Sequence, residues 1–388
     1  MTVTLSRRLA AVRGSAIRDL LTLTARADVL SLAGGLPAAD ALPRERIAEA
    51  AARALTGSAA VQYSETAGIA GLREVVAAHE TNRIGRPVTP TDVVVTSGSQ
   101  QALDLVARAL LDPGDPVVVE DPVYVGALQV LQAAGAEVHS VPLDADGLRV
   151  DLLGERLAAG LRPRLVHTVA SFHNPRGVTL SQERRRALVE LAERYGFLVV
   201  EDDPYGLLAF DGAPPLPVAA HGDRVVRLGS ASKVLAPALR VGWLTGPPAL
   251  ATAVERLKQS TDLCGSSLTQ AITAELLADE PWFTAHVAGL RTANAQRAQA
   301  LTAAVDAELG DRVVRSTPTG GMFVWMDFTD GTDTTALLPR AVEQGVGFVP
   351  GSAFATDGGF TSSARLCFAT YPPAELAEAV RRLARALA

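Results

Sequence analysis

From about residue 90 the chain alternates between short β-branched runs and longer stretches whose apolar positions recur every three to four residues. The short runs read as strands and the longer ones as helices, because a strand repeats its face every two residues and a helix every 3.6. Strands are predicted at 92–98 (DVVVTSG), 115–121 (DPVVVED), 136–143 (AEVHSVPL), 164–170 (RLVHTVA), 197–203 (FLVVEDD) and 224–230 (RVVRLGS). Helices are predicted at 99–111, 124–135 and 181–196, between them. Strands separated by helices of this length predict an α/β fold with a mostly parallel sheet covered on both faces.

The pattern changes after about 280. A long helix is expected at 282–309, then strands within GGMFVWMDF and SARLCFATY, then a terminal helix from 373. This predicts a large domain over 45–280 and a smaller α+β domain over 281–388. The N-terminal segment, 1–44, is expected to pack with the small domain and beside the site.

Composition narrows the class. A chain of 388 residues can build two cores, and a formal charge of −6 argues against a nucleic-acid footprint. The arginine-interrupted N-terminus does not resemble a secretory signal, and no run of about 20 apolar residues could span a bilayer. A cytoplasmic protein, with no membrane or nucleic-acid partner, is the expectation. Cys264 and Cys367 lack metal-ligand spacing and the six histidines are scattered, so no metal site is expected.

The candidate chemistry gathers at strand ends, where open α/β sheets place their ligands. Gly98, Ser99 and Gln100 begin a helix, whose free N–H groups favour a phosphate, although Ser99 would also serve as a plain N-cap. Tyr124, in EDPVY, could lie flat on a ring, or could be an ordinary helix-start tyrosine. Asn174, in SFHNPRG, has the composition of a turn. Glu201, Asp202 and Asp203 follow a buried strand, where a carboxylate needs a cation or a solvated loop; Tyr205 comes next.

The last candidate is an amine. Two of the 36 lysines and arginines are lysine, Lys233 and Lys258. Codon preference alone could leave two stray surface lysines. Lys233, however, stands in GSASKVLAPALR, where an amine can do what a guanidinium cannot. Lys258 has no motif around it and reads as the stray. A phosphate-binding helix start, an aromatic, a carboxylate and an amine together suit pyridoxal 5′-phosphate, a phosphorylated aldehyde with a basic ring nitrogen.

These motifs resemble the fold-type I pyridoxal-phosphate enzymes, and among them the class I/II aminotransferases of the 2-aminoadipate and kynurenine branch. The likeness rests on QYSETAGIAGLR, TSGSQQALDL, HNPRG, EDDPY and SASK followed by Arg240, in that order. The resemblance implies a seven-stranded-type large sheet plus a smaller α+β domain. Lys233 is similar to the Schiff-base lysine, Asp202 to the partner of the pyridine nitrogen, and Asn174 and Tyr205 to the contacts of the ring hydroxyl. Ser99, Gln100, Ser230 and Arg240 resemble phosphate contacts beside Gly98, and Tyr124 the stacking aromatic. Tyr63 resembles a tyrosine that reaches the cofactor of a partner subunit, which implies a homodimer.

On the substrate side, Arg365 resembles the arginine that clamps the α-carboxylate, with Asn174 and Gly35 lining the same site. Arg18 matches an arginine that can pair with an acidic side chain. The usual Asn-Pro-Thr-Gly appears as Asn174-Pro175-Arg176-Gly177, which puts an unusual cation nearby. The implied activity is ping-pong amino transfer between an α-amino acid and a 2-oxo acid, with glutamate/2-oxoglutarate as one pair. Lys233 would move the Cα proton. A β-lyase, decarboxylase or amino-acid oxidase on the same scaffold would keep nearly the same residues, and a non-catalytic sensor domain is the remaining alternative.

Overall fold

The computed structural model describes residues 26–388, so Arg18 and most of the segment ahead of residue 44 lie outside it. The strands in chain order are β1 (Leu30–Ser31), β2 (Val93–Thr96), β3 (Pro116–Asp121), β4 (Glu137–Asp144) and β5 (Gly147–Leu148). They continue with β6 (Leu165–Thr168), β7 (Leu198–Asp202), β8 (Val225–Ser230), β9 (Gly242–Thr245) and β10 (Val313–Arg315). The last are β11 (Phe323–Phe328), β12 (Val346–Gly347), β13 (Val349–Pro350) and β14 (Ser363–Cys367).

The large sheet has the order β2-β9-β8-β7-β6-β3-β4-β5. The block β8-β7-β6-β3-β4 is parallel throughout. β9 is antiparallel to both β8 and β2, so β2 points the same way as the parallel block. Seven strands form the sheet proper, and the two-residue β5 adds an eighth beside β4. Every residue of β2, β6, β8 and β9 is buried, as helices on both faces require. All six predicted strands are present, each within a residue or two of its expected ends.

A second sheet, β10-β11-β14-β13, is antiparallel throughout. The helix Glu280–Leu309 and the terminal helix Pro373–Leu387 pack beside one another, and their buried leucines and valines join those of β11 and β14 in one core. β1 pairs in parallel with β12, so the chain just ahead of Gly34 and Gly35 is anchored to the smaller unit.

The parallel order has one consequence for function. The carboxyl ends of β2, β3, β6, β7 and β8 lie along a single edge of the large sheet. The candidate residues Gly98, Tyr124, Asn174, Asp202 and Ser230 follow or end those five strands.

Candidate active site

Alternation along β7 separates the three consecutive carboxylates. Glu201 accepts the backbone N–H groups of Val218 and Ala219 and faces Arg185 and Arg227 at 3.5 and 3.6 Å. Asp203 meets Arg227 at 2.8 Å and Arg83 at 3.7 Å and caps the N–H of Gly206. Arg227 is also held by Glu80 at 2.7 Å, so this face of the strand is a buried, mutually compensated charge cluster. Asp202 points the other way. It is buried, its Oδ1 has no hydrogen-bond partner, and its nearest base is His167, 4.0 Å from Oδ2. Burial, reinforced by the charge of Asp203, pushes the Asp202 carboxyl up to about 7, with the Ser99 hydroxyl and Arg227 pulling weakly downward. Burial also lowers His167 to about 4, so that ring is neutral at pH 7 and supplies no cation. One carboxylate of three is left wanting a positive partner.

Lys233 lies just past β8, where its Nζ donates to the carbonyl of Gly35 at 2.7 Å. Burial lowers the pKa of this amine, and the Arg365 and Arg240 guanidinium groups lower it further against an opposing effect of Cys367. Arg365, on β14, donates from Nη1 to Asn174 Oδ1 at 2.7 Å and from Nη2 to the carbonyl of Ala33. Its Nε is buried without a partner. The guanidinium lies 4.4 Å from the ring centre of Phe323 and 5.0 Å from that of Phe354. Burial brings it down to about 10, so it keeps its charge at neutral pH. Tyr205 is buried with its ring edge-on to Phe323, and burial raises its hydroxyl well above the ordinary tyrosine value.

The other end of the site is built on the turn from β2 into the helix Ser99–Leu110. Gly98 takes φ +89°, a conformation that demands glycine, and a Cβ there, 2.8 Å from Arg240 Nη2, would push that guanidinium aside. Gly242 on β9 allows the same turn to approach, since its Cβ would lie 2.6 Å from Ser99 N. Arg240 reaches across to the carbonyl of Ser97 at 2.8 Å. The Tyr124 hydroxyl donates to Gln100 Oε1 at 3.2 Å, and burial raises its pKa strongly. Ser230 Oγ accepts the N–H of Ser232 at 3.1 Å, closing the turn that carries Lys233.

The structure therefore brings Lys233, Gly35, Arg365, Asn174, Tyr205 and Asp202 close together, with Gly98, Ser99, Gln100, Tyr124, Ser230 and Arg240 alongside and the Ser99 hydroxyl against Asp202. Tyr63 stands outside this group, 78 % exposed near Val61, itself 71 % exposed. Arg176 turns away to Asp327 at 3.5 Å and lies over the Trp325 ring, which accounts for a cation in that motif without a role at the reacting end. Sequence reasoning does not single out Phe323 and Phe354, which are ordinary apolar strand and turn residues until Arg365 is seen between them. It also passes over Glu120, which accepts from Thr168 at 2.6 Å and lies 3.1 Å from His173, fixing the turn that presents Asn174. The expectation that Lys258 is a surface lysine is wrong: it is fully buried. Among the described residues no helix is long and apolar enough to cross a membrane.

This arrangement fits pyridoxal 5′-phosphate: Asp202 Oδ1 offers an unused buried acceptor for a protonated ring nitrogen, and the Gly98 turn leaves backbone N–H groups and Arg240 for a phosphate. Comparison with known proteins agrees. The family model for aminotransferase class I and II matches residues 27–383. A 2-aminoadipate transaminase of Thermus thermophilus is 41 % identical over 97 % of this chain and 94 % of its own length. Aromatic-amino-acid aminotransferase 1 of Thermococcus litoralis is 39 % identical over 98 % and 93 %. Among solved structures, an α-aminoadipate aminotransferase of Thermus thermophilus, complexed with N-(5′-phosphopyridoxyl)-L-leucine, superposes with a TM-score of 0.92. That match has 39 % identity and covers 99 % of this chain and 97 % of the other.

Proposed function

Because the chain belongs to the class I and II aminotransferases and is a pyridoxal-phosphate-dependent transaminase, we propose that it works by a ping-pong cycle with glutamate and 2-oxoglutarate as one substrate pair. The observation that carries the assignment of roles is the unpartnered Oδ1 of Asp202 beside two carboxylates already satisfied by arginine. Bound here, the cofactor supplies an electron sink for the pair left on the substrate Cα when its proton departs.

Asp202 keeps the ring nitrogen protonated; the cation it gains there replaces the partner it lacks and returns its carboxyl to the ionised form. Lys233 would hold the cofactor through its aldehyde, and its Nζ, once free, would take the proton from the substrate Cα and deliver it to the cofactor's aldehyde carbon rather than back to Cα. Burial and two neighbouring guanidinium groups favour the neutral amine that this requires. Arg365 binds the substrate carboxylate. Asn174 and the Ala33 carbonyl hold two of its donors, which orients the rest, and the flanking phenylalanines keep the pair dry. Asn174 and Tyr205 would meet the ring hydroxyl, and Tyr124 would supply an aromatic face to the ring. Gly98, Ser99, Gln100, Ser230 and Arg240 hold the phosphate.

Tyr63 completes the phosphate site of a second copy in a homodimer, a reading supported by its exposure beside Val61. The domain limits at 44 and 280 are supported by two sheets lying within 93–245 and 313–367 and by the pairing of β1 with β12. The preference for a dicarboxylic partner draws on the resemblance of Arg18 and on a relative named for 2-aminoadipate. A panel of amino donors offered with 2-oxoglutarate, each 2-oxo acid product being followed, tests the reading. Glutamate formation is expected; ammonia or pyruvate released without an acceptor would overturn it in favour of a lyase or oxidase.

A further inference from the structure

Lys258 sits in the last turns of the helix Pro248–Thr261, fully buried. Its Nζ donates to Asp262 Oδ1 at 2.6 Å. The other oxygen of Asp262 accepts the side-chain amide of Gln101 at 2.7 Å. Gln101 Oε1 in turn accepts the backbone N–H of Ser97 at 2.7 Å. The carbonyl of Ser97 accepts from Arg240 at 2.8 Å. An unbroken line of hydrogen bonds thus runs from a buried ammonium to the backbone just ahead of Gly98 and Ser99.

Each link has a direction. An ammonium can only donate and a carboxylate can only accept, so Asp262 must receive the amide nitrogen of Gln101. That leaves Oε1, and not the NH₂, facing the N–H of Ser97. Without Asp262 the amide could flip and set donor against donor. Packing alone does not ask for an ammonium at 258, since an apolar side chain of equal length would fill the space, and a buried ion pair is weak evidence for stability.

We propose that Lys258, acting through Asp262 and Gln101, is a positioning residue for the cofactor's phosphate. It fixes the Ser97–Ser99 turn, and with it the N–H groups at the start of the helix Ser99–Leu110 and the side chain of Arg240. The proposal rests on the assignment of this end of the site to the phosphate.

The test compares two ligands that share ring and aldehyde but differ in the phosphate, pyridoxal 5′-phosphate and pyridoxal, each titrated into cofactor-free full-length protein. Lys258→Met and Gln101→Leu break the line at separate points, so that one remains informative if the other folds poorly. Each is expected to raise the dissociation constant for pyridoxal 5′-phosphate about tenfold, the effect of losing one well-placed hydrogen bond to a charged group, and to leave that for pyridoxal within about twofold. Arg240→Gln serves as the reference for the phosphate assignment. If it lowers the preference for the phosphorylated ligand while Lys258→Met and Gln101→Leu leave that preference intact, the positioning role is refuted alone. If all three leave the preference intact, the phosphate assignment falls and the inference with it.

Discussion

Asp202→Asn separates what this carboxyl costs the fold from what it gives the reaction. In the cofactor-free protein its pKa stands at about 7 against an ordinary 3.8. A group whose native pKa is raised stabilises the fold fully only below its unfolded pKa, and that contribution is lost as pH rises toward the native value. Between these limits the native form holds a proton that the unfolded chain has released, so stability falls with pH. At 1.36 kcal/mol per unit, the shift amounts to about 4 kcal/mol once both are passed, about 2 to 3 of it between pH 5 and pH 8. Asparagine keeps the shape and does not titrate. Urea unfolding of the cofactor-free wild type and variant at both pH values should therefore show the variant gaining about 2 to 3 kcal/mol relative to wild type at pH 8. A variant-minus-wild-type difference that is equal at both pH values, or that moves in favour of wild type toward pH 8, refutes the reasoning, whatever the buried histidines add to both proteins. The loaded enzyme should respond in the opposite sense: Asp202→Asn holds the cofactor but loses most of the rate, and an unimpaired rate would remove Asp202 from the ring nitrogen.

Three other substitutions test separate parts of the site. Lys233→Ala should abolish turnover and the absorbance of covalently held cofactor while leaving the circular dichroism of the fold unchanged; full activity would sink the assignment. Arg365→Lys exchanges a fork held at two points for a single ammonium, and should raise KM for every amino acid by about 30- to 160-fold, from the loss of one charge-assisted hydrogen bond worth about 2 to 3 kcal/mol. A KM within threefold of wild type would place the carboxylate elsewhere. Arg176→Thr breaks a half-exposed pair with Asp327. It should change stability by less than about 1 kcal/mol and leave turnover intact, as thermal melts and steady-state rates would show.

Most strands of the large sheet were legible because both faces are buried, which leaves continuous apolar runs ending in polar residues; β4, near the edge, is mostly half-buried. β9 escaped that logic. It is four residues long, set between Arg240 and the Gly246-Pro247-Pro248 turn, and its antiparallel direction follows from the strands on either side. β10 and β13, at three and two residues, are too short to show a period, and β13 contains a proline. In the site, the residue types at strand ends could be read, but not their division of labour. Alternation alone puts Glu201 and Asp203 on one face and Asp202 on the other. That the shared face is filled by Arg83, Arg185 and Arg227 depends on three distant segments meeting there.

The scarcity of lysine acquires a geometric reason. The buried arginines are forks with several acceptors. Arg185 reaches the carbonyls of Leu180 and Ala170 and the hydroxyl of Ser171, and Arg227 bridges Glu80 and Asp203. Arg365 spans Asn174 and Ala33. Each lysine instead directs one compact ammonium at one oxygen: Lys233 at the Gly35 carbonyl, Lys258 at Asp262 Oδ1. A guanidinium in either place would bring surplus donors that each need an acceptor, and unpaired buried donors are costly. Codon preference can exchange lysine for arginine wherever water or a second acceptor waits. It fails at these two positions, one where an amine must shed its proton and one where a single fixed hydrogen bond sets the orientation of an amide.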